Sequence, residues 1–226
     1  MDSKIIILAG GPTGLLPDLA SLDAEDITWV GVDRGVHTLL KNNIAPDQAF
    51  GDFDSVSLKE REWMNRHPVN FSVFPQEKDK TDLELAIEWA LEKQCSSVII
   101  LGATGGRLDH ELINVQLLLK GIGSKTEIEI RDRQNRIQLR AAGSYEIKYI
   151  PEYPYLSFVP VTPKVEGLTL TGVKYPLQET EINWGSTLSI SNELVNKKGS
   201  YSFRDGILLV IRSKDEDEKA FLNKGY

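Results

Sequence analysis

The stretch Lys4-Ile5-Ile6-Ile7-Leu8-Ala9-Gly10-Gly11-Pro12-Thr13-Gly14 sets an unbroken apolar run directly against a glycine-rich turn. A run this short, closed by Gly-Gly, predicts a strand buried on both faces, as strands of parallel sheets are. It stops before the length of a secretory leader's apolar core, and Asp2 stands ahead of it beside Lys4. Downstream the arrangement repeats. Strands are expected at residues 4–8, 28–32, 48–51, 70–74 and 97–101, alternating with helical patterns, which is how βα units on a parallel sheet read.

The clearest helix follows Asp79-Lys80-Thr81-Asp82. Leu83, Ala86, Ile87, Ala90 and Leu91 recur at the spacing of one helix face, and Thr81 with Glu84 forms a capping box. Ser57 with Glu60 forms another, and Leu108, Leu112, Val115 and Leu119 predict a further amphipathic helix. From Lys125 onward the period drops to two, as in Glu127-Ile128-Glu129-Ile130 and Tyr145-Glu146-Ile147-Lys148. Phe203-Arg204-Asp205-Gly206-Ile207 supplies the Asp-Gly signal of a hairpin, with an apolar strand at 207–211 and a charged tail after it. The expectation is an α/β domain over residues 1–122 and an all-β domain over 123–226.

Composition narrows the function classes. The 226 residues carry 33 acidic and 26 basic side chains, a formal net charge of −7, which disfavours a nucleic-acid scaffold. At 41% hydrophobic and 26% charged the chain falls in the ordinary globular range. No apolar stretch approaches the roughly 18 residues that cross a bilayer. The lone Cys95 forms no intrachain disulfide and, with three scattered histidines, matches no zinc spacing. A cytoplasmic location is expected, with neither nucleic acid nor membrane as partner.

The aspartates carry the chemistry. Asp33, Asp52 and Asp54 follow predicted strands, Asp79 and Asp82 precede a helix, and Asp109 follows the strand at 97–101. In a parallel sheet such positions share the carboxyl edge, where open α/β folds place ligands. An isolated Asp in a loop commonly caps a helix or shapes a turn. Here Ser57 and Thr81 already fill the predicted caps, so Asp52, Asp54 and Asp79 are surplus to capping. Carboxylates gathered in a cleft repel one another unless a cation intervenes, and oxygen donors without Cys or His favour a hard ion such as Mg²⁺. Two glycine loops, Gly10 to Gly14 and Gly102-Ala103-Thr104-Gly105-Gly106-Arg107, offer backbone amides to an anion, with Arg34, Lys78, Lys80 and Arg107 beside them. Neither loop is a Walker A or a G-x-G-x-x-G sequence. His37 and His67 read as surface histidines, while His110 heads a helix facing the acids.

Taken together, Val32-Asp33-Arg34-Gly35, Gly51-Asp52-Phe53-Asp54-Ser55, Asp79-Lys80-Thr81-Asp82 and Gly105-Gly106-Arg107-Leu108-Asp109-His110 resemble the thiamin pyrophosphokinase family, over essentially the whole chain. The resemblance implies a Rossmann-like α/β nucleotide domain, a C-terminal β-sandwich, a homodimer, and Mg²⁺-dependent transfer of pyrophosphate from ATP to thiamin with release of AMP. It implies Asp52, Asp54 and Asp82 as metal ligands, with Asp54, Asp82 and Arg107 central to catalysis. On the ATP side it adds Asp33, Arg34, Asp79, Lys80, Thr104, Asp109 and His110. In the second half, Gly172-Val173-Lys174-Tyr175-Pro176-Leu177 and Ser189-Ile190-Ser191-Asn192 look like the family's thiamin segments, implying Tyr175, Ser189, Ser191 and Asn192 on that side. Arg34 departs from the Gly that some relatives carry. A pterin-type pyrophosphokinase and a non-catalytic sensor stay open as alternatives, distinguished by the thiamin segments and by the full acid set.

Overall fold

The computed structural model describes residues 3–22, 26–51 and 79–216. The chain forms two compact units, Met1–Arg133 and Gln134–Tyr226. Among the described residues no helix is long and apolar enough to cross a membrane.

The first unit is built on β1 (Lys4–Leu8), whose Ile5, Ile6, Ile7 and Leu8 are each 2% exposed or less, as burial on both faces demands. It pairs in parallel with β2 (Ile27–Val32) on one side and with β4 (Ser97–Leu101) on the other. β3 (Gln48–Phe50) adds outside β2, and β5 (Glu127–Arg131) adds in parallel outside β4. The predicted strand at 70–74 and the Ser57 cap lie outside the described residues. β5 corrects the expected boundary. Its Glu-Ile alternation suggested the all-β half, yet Ile128 and Ile130 pair with Val98 and Ile100 in the parallel sheet, and Glu129 is buried beside Arg131 at 2.7 Å.

Helices α1 (Arg34–Lys41) and α2 (Asp82–Glu92) pack on this sheet. α1 sends Leu39 into a cluster with Ile6, Leu8, Trp29 and Leu101. It also buries His37, which therefore is no surface histidine. α2 begins where the sequence placed it. The Thr81 hydroxyl accepts the Glu84 amide at 3.2 Å, and Leu83, Ala86, Ile87 and Ala90 are buried. α3 (Leu108–Leu117) differs from expectation, since Leu108 is 69% and Leu112 56% exposed and only Leu117 is buried. Its amphipathic stripe does not face the core of the first unit.

The second unit is antiparallel: β6 (Asn135–Lys148), β7 (Tyr155–Pro160), β8 (Lys164–Thr171), β9 (Leu177–Asn183), β10 (Asn192–Glu193) and β11 (Lys198–Ser213). β11 runs beside β6 along its length, with β8 on its first half and β7 on its second. The expected Asp205-Gly206 hairpin turn is instead an irregularity inside β11, between Phe203 and Ile207, with Gly206 at φ 98. A positive φ lets one strand absorb extra residues and bend rather than reverse. Phe158, Leu168, Leu170, Tyr201 and Leu208 form the core, with the Tyr145 and Tyr201 rings stacked at 4.9 Å between centroids.

At the carboxyl edge of the parallel sheet the backbone packs without room for side chains. A Cβ on Gly35 would lie 1.8 Å from the Leu8 carbonyl oxygen, and one on Gly11 2.4 Å from that of Gly102. Gly35→Ala is expected to destabilise the protein by about 3 kcal/mol, because backbone must move to admit the methyl group. Gly14→Ala, with nothing within 4 Å of its Cβ, serves as the near-neutral control. Urea unfolding of the two variants measures the difference, and equal midpoints would refute the close-packing argument.

Candidate functional site

The loops after β1 and β4 are joined at the middle of the sheet, where the strand order changes direction. The Ala9 amide donates to the Leu101 carbonyl and the Gly11 amide to the Gly102 carbonyl, both at 2.8 Å. Such a switch point is where open α/β sheets form a ligand crevice. Asp33 and Arg34 stand beside it. Asp33 precedes α1 at φ 50, and its carboxylate lies against Gly51, where a Cβ would approach Asp33 Oδ1 to 2.3 Å. Arg34 is exposed and packs its Cβ near Gly10.

The Gly102–Arg107 loop is fixed from three directions. The buried Thr104 hydroxyl donates to the buried Asp132 carboxylate at 2.8 Å, Asn114 Nδ2 donates to the Ala103 carbonyl at 2.9 Å, and the Gly105 amide donates to Glu111 Oε2 at 3.0 Å. Thr104 thus spends its hydroxyl inside the fold. Asp132, Glu111 and Asn114 were not singled out in the sequence. Asp132 was legible only if 127–131 is a parallel strand, which places the following residue at the carboxyl edge.

Two of the expected cations, Arg107 and Lys80, are paired. Arg107 meets Asp109 through Nε at 3.1 Å and Nη2 at 2.5 Å, both side chains exposed, and that bond holds the Asp109 carboxyl below its ordinary range. Asp109 Oδ1 also accepts the amide of exposed His110 at 3.0 Å. Lys80 reaches Glu88 at 2.8 Å, and Lys120 bridges Glu88 at 2.8 Å and Glu84 at 2.9 Å. Asp79 is exposed and Asp82 is the first residue of α2. Asp52 and Asp54 lie outside the described residues. Among the described residues no three His, Cys, Asp or Glu side chains are grouped to hold a metal. Cys95 is buried, donates to the Ala90 carbonyl, and burial pushes its thiol pKa up, which suits an inert core residue.

In the second unit Tyr175 is 56% exposed, with Lys174 Nζ 5.6 Å from its ring centroid. Asn192 and Ser189 are buried. Ser189 Oγ donates to the Phe158 carbonyl at 2.6 Å, and Asn192 bonds the Tyr175 main chain. Ser191 is exposed at φ 53, its amide donating to Ser157 Oγ at 2.9 Å. Trp184, at 73% exposure, was not singled out in the sequence.

The Glu88 network gives a pH prediction. Bonds from Lys120 and then Lys80 lower the Glu88 pKa from its ordinary 4.5. A lowered pKa contributes stability above 4.5 that is lost as pH falls through the folded-state value. Glu88→Gln is therefore expected to cost about 1 kcal/mol at neutral pH, scaled for partial exposure. The deficit should vanish in acid. Denaturant titrations at neutral pH and well below 4.5 measure it, and a deficit independent of pH would refute the assignment.

Comparison with known proteins bears on both units. The family model "Thiamin pyrophosphokinase, catalytic domain" matches residues 19–131, and "Thiamin pyrophosphokinase, vitamin B1 binding domain" matches residues 144–208. The chain is 48% identical over 211 residues to the thiamine pyrophosphokinase of Bacillus subtilis (strain 168), covering 93% of this chain and 99% of that protein. It superimposes on a crystal structure of thiamine pyrophosphokinase from Bacillus subtilis with a TM-score of 0.90, covering 95% of this chain and 100% of the other. A crystal structure of thiamin pyrophosphokinase from Geobacillus thermodenitrificans gives a TM-score of 0.89 at 48% identity, covering 95% and 99%.

Proposed function

Because the chain belongs to the thiamin pyrophosphokinase family, we propose that it transfers the pyrophosphoryl group of ATP to thiamin, using Mg²⁺. The observation that carries this reading is the nearly full-length likeness to the Bacillus subtilis protein, together with the catalytic-domain and vitamin-binding-domain matches along this chain. The first unit, extended to residue 133, is read as a Rossmann-like nucleotide domain, a reading supported by its parallel sheet and joined central loops. The second is read as a sandwich that holds the vitamin and pairs subunits. The exchange of β8 for β7 along β11 supports two layers meeting at the irregularity.

In this reading Asp52, Asp54 and Asp82 hold Mg²⁺, with Asp33 and Asp79 beside them. The donor set suits a hard cation, and the Asp33 carboxylate already lies against Gly51, the residue preceding Asp52. A bound divalent ion would neutralise charge on the triphosphate. Arg107 and Lys80, with Arg34 and His110, serve the phosphates, while Thr104 acts through Asp132 by fixing the loop. Asp109 holds the Arg107 fork until phosphate takes it. The oxygen of the thiamin hydroxyl attacks the β-phosphorus, the bond to the α-phosphate oxygen breaks, AMP leaves with the electron pair, and the hydroxyl proton is released. Positioning supplies most of the acceleration in such transfers. Tyr175, Ser189, Ser191 and Asn192 shape the thiamin side.

Incubation with ATP, Mg²⁺ and thiamin is expected to yield AMP and thiamin diphosphate, with AMP resolved from ADP by chromatography. Asp82→Asn should lower kcat by roughly 100-fold or more. Formation of ADP would overturn the pyrophosphoryl reading, and a largely active Asp82→Asn at saturating Mg²⁺ would remove that ligand.

A homodimer belongs to the same proposal. The apolar segment 207–211 supports it less than expected, since Leu208 and Val210 are consumed by the unit's own core. Better support comes from Trp184, Leu188 and Val195, large apolar side chains left 73%, 57% and 65% exposed. Sedimentation equilibrium should give twice the 25.3 kDa chain mass, and a concentration-independent monomer would exclude the dimer.

A further inference from the structure

Asn192 lies at the start of a short antiparallel pairing that ends beside Tyr175. The Lys174 amide donates to the Glu193 carbonyl at 2.9 Å, the Val195 amide to the Gly172 carbonyl at 3.0 Å, and Val173 bridges Leu194. One step further on, the Asn192 carboxamide takes the place of a neighbouring peptide. Its Oδ1 accepts the Tyr175 amide at 3.0 Å and its Nδ2 donates to the Tyr175 carbonyl at 2.8 Å. Oδ1 also accepts the Glu193 amide at 2.9 Å. Asn192 is 2% exposed, so water does not compete for these bonds, and its own backbone pairs with Leu156, itself 1% exposed. Both main-chain polar groups of an exposed aromatic residue are thereby tied to the core by one side chain.

We propose that Asn192 is a positioning residue for the acceptor site: it fixes the main chain of Tyr175, so that the ring stands preformed for the acceptor, and does not itself bind that acceptor. The proposal rests on the reading of Tyr175 as part of the thiamin side. It departs from the expectation that Asn192 bonds the vitamin directly, because three of the four hydrogen bonds shown or available to its amide protons and doubly accepting oxygen are already made inside the fold. Fixing the ring before binding spares its ordering cost when the acceptor arrives.

A double-mutant cycle on the full-length protein tests this. Thiamin KM, ATP KM and kcat are measured for wild type, Tyr175→Ala, Asn192→Ala and the double variant, with thermal unfolding of each. Tyr175→Ala should raise thiamin KM by roughly 5- to 30-fold. Asn192→Ala should raise it roughly tenfold, with ATP KM within about twofold. Added to Tyr175→Ala, it should change thiamin KM by less than about twofold, since no ring is left to position. Effects that multiply would mean Asn192 touches the acceptor independently, and would overturn the proposal. So would equal increases in both KM values, the mark of a generally loosened fold. If Tyr175→Ala leaves thiamin KM unchanged, the reading of Tyr175 fails and the proposal with it, whereas a Tyr175 effect without an Asn192 effect sinks the proposal alone. Should Asn192→Ala not fold, Asn192→Asp carries the same test. It keeps the acceptor for the Tyr175 and Glu193 amides and sets an oxygen against the Tyr175 carbonyl.

Discussion

The loops after β1 and β4 meet at the distance of one peptide from another, and the carboxyl edge of the parallel sheet is organised around that meeting. Gly11 and Gly102 share a hydrogen bond across a gap that admits no Cβ, and Gly35, at the start of α1, leaves still less room for one against the end of β1. These contacts are made by backbone alone, so they are insensitive to side-chain rotation and hold Asp33, Arg34 and the Gly102–Arg107 loop on a rigid base. The loop is then finished by side chains that bond backbone: Asn114 on Ala103 and Glu111 on Gly105. A site that handles a polyphosphate gains from such rigidity, because preorganised dipoles need not be reordered when charge moves.

Much of this was readable from the residues. The run Ile5 to Leu8 could be a doubly buried strand because no polar residue interrupts it, and Thr81 with Glu84 fixed the start of α2 because a cap is a local bond that tertiary context rarely removes. What failed were three inferences about what a segment pairs with or packs against, although the parallel pairing of the strands around 4–8 held. Alternation in Glu127 to Ile130 says that the two faces of a strand differ, but it carries no direction of pairing, and buried Glu129 finds Arg131 where solvent was assumed. The Leu108, Leu112 and Leu119 stripe says that a face is apolar, not that the same unit covers it. Asp205-Gly206 signals a positive φ, which serves a bend within one strand as well as a reversal between two.

The site shows the same division. The family resemblance pointed to Thr104, Ser189 and Asn192, but it could not tell whether a hydroxyl or carboxamide turns to a ligand or to the chain. All three turn inward, onto Asp132, Phe158 and Tyr175 respectively. Buried polar groups must be satisfied, and bonding backbone carbonyls and amides is the cheapest way to do so near irregular loops. Residues quoted from a binding motif therefore fall into two kinds: those that face outward, such as Tyr175 and Arg107, and those that hold them in place.

The same distinction orders the cations. Arg107 pairs with Asp109 in a bond open to solvent on both sides, so the phosphate role proposed for it would only exchange one exposed anion for another. Lys80 belongs to a chain of charges in which Glu88 is shared with Lys120, and Lys120 with Glu84. Drawing Lys80 away leaves Glu88 with Lys120, whose single ammonium already serves two carboxylates on α2. The guanidinium also keeps its planar fork whether it faces a carboxylate or a phosphate, whereas the lysine must reorient a flexible stem. On these grounds the pairing of Arg107 is the more readily exchanged of the two, as its proposed role at the phosphates requires, whereas Lys80 also ties the residues ahead of α2 to Glu88 on that helix.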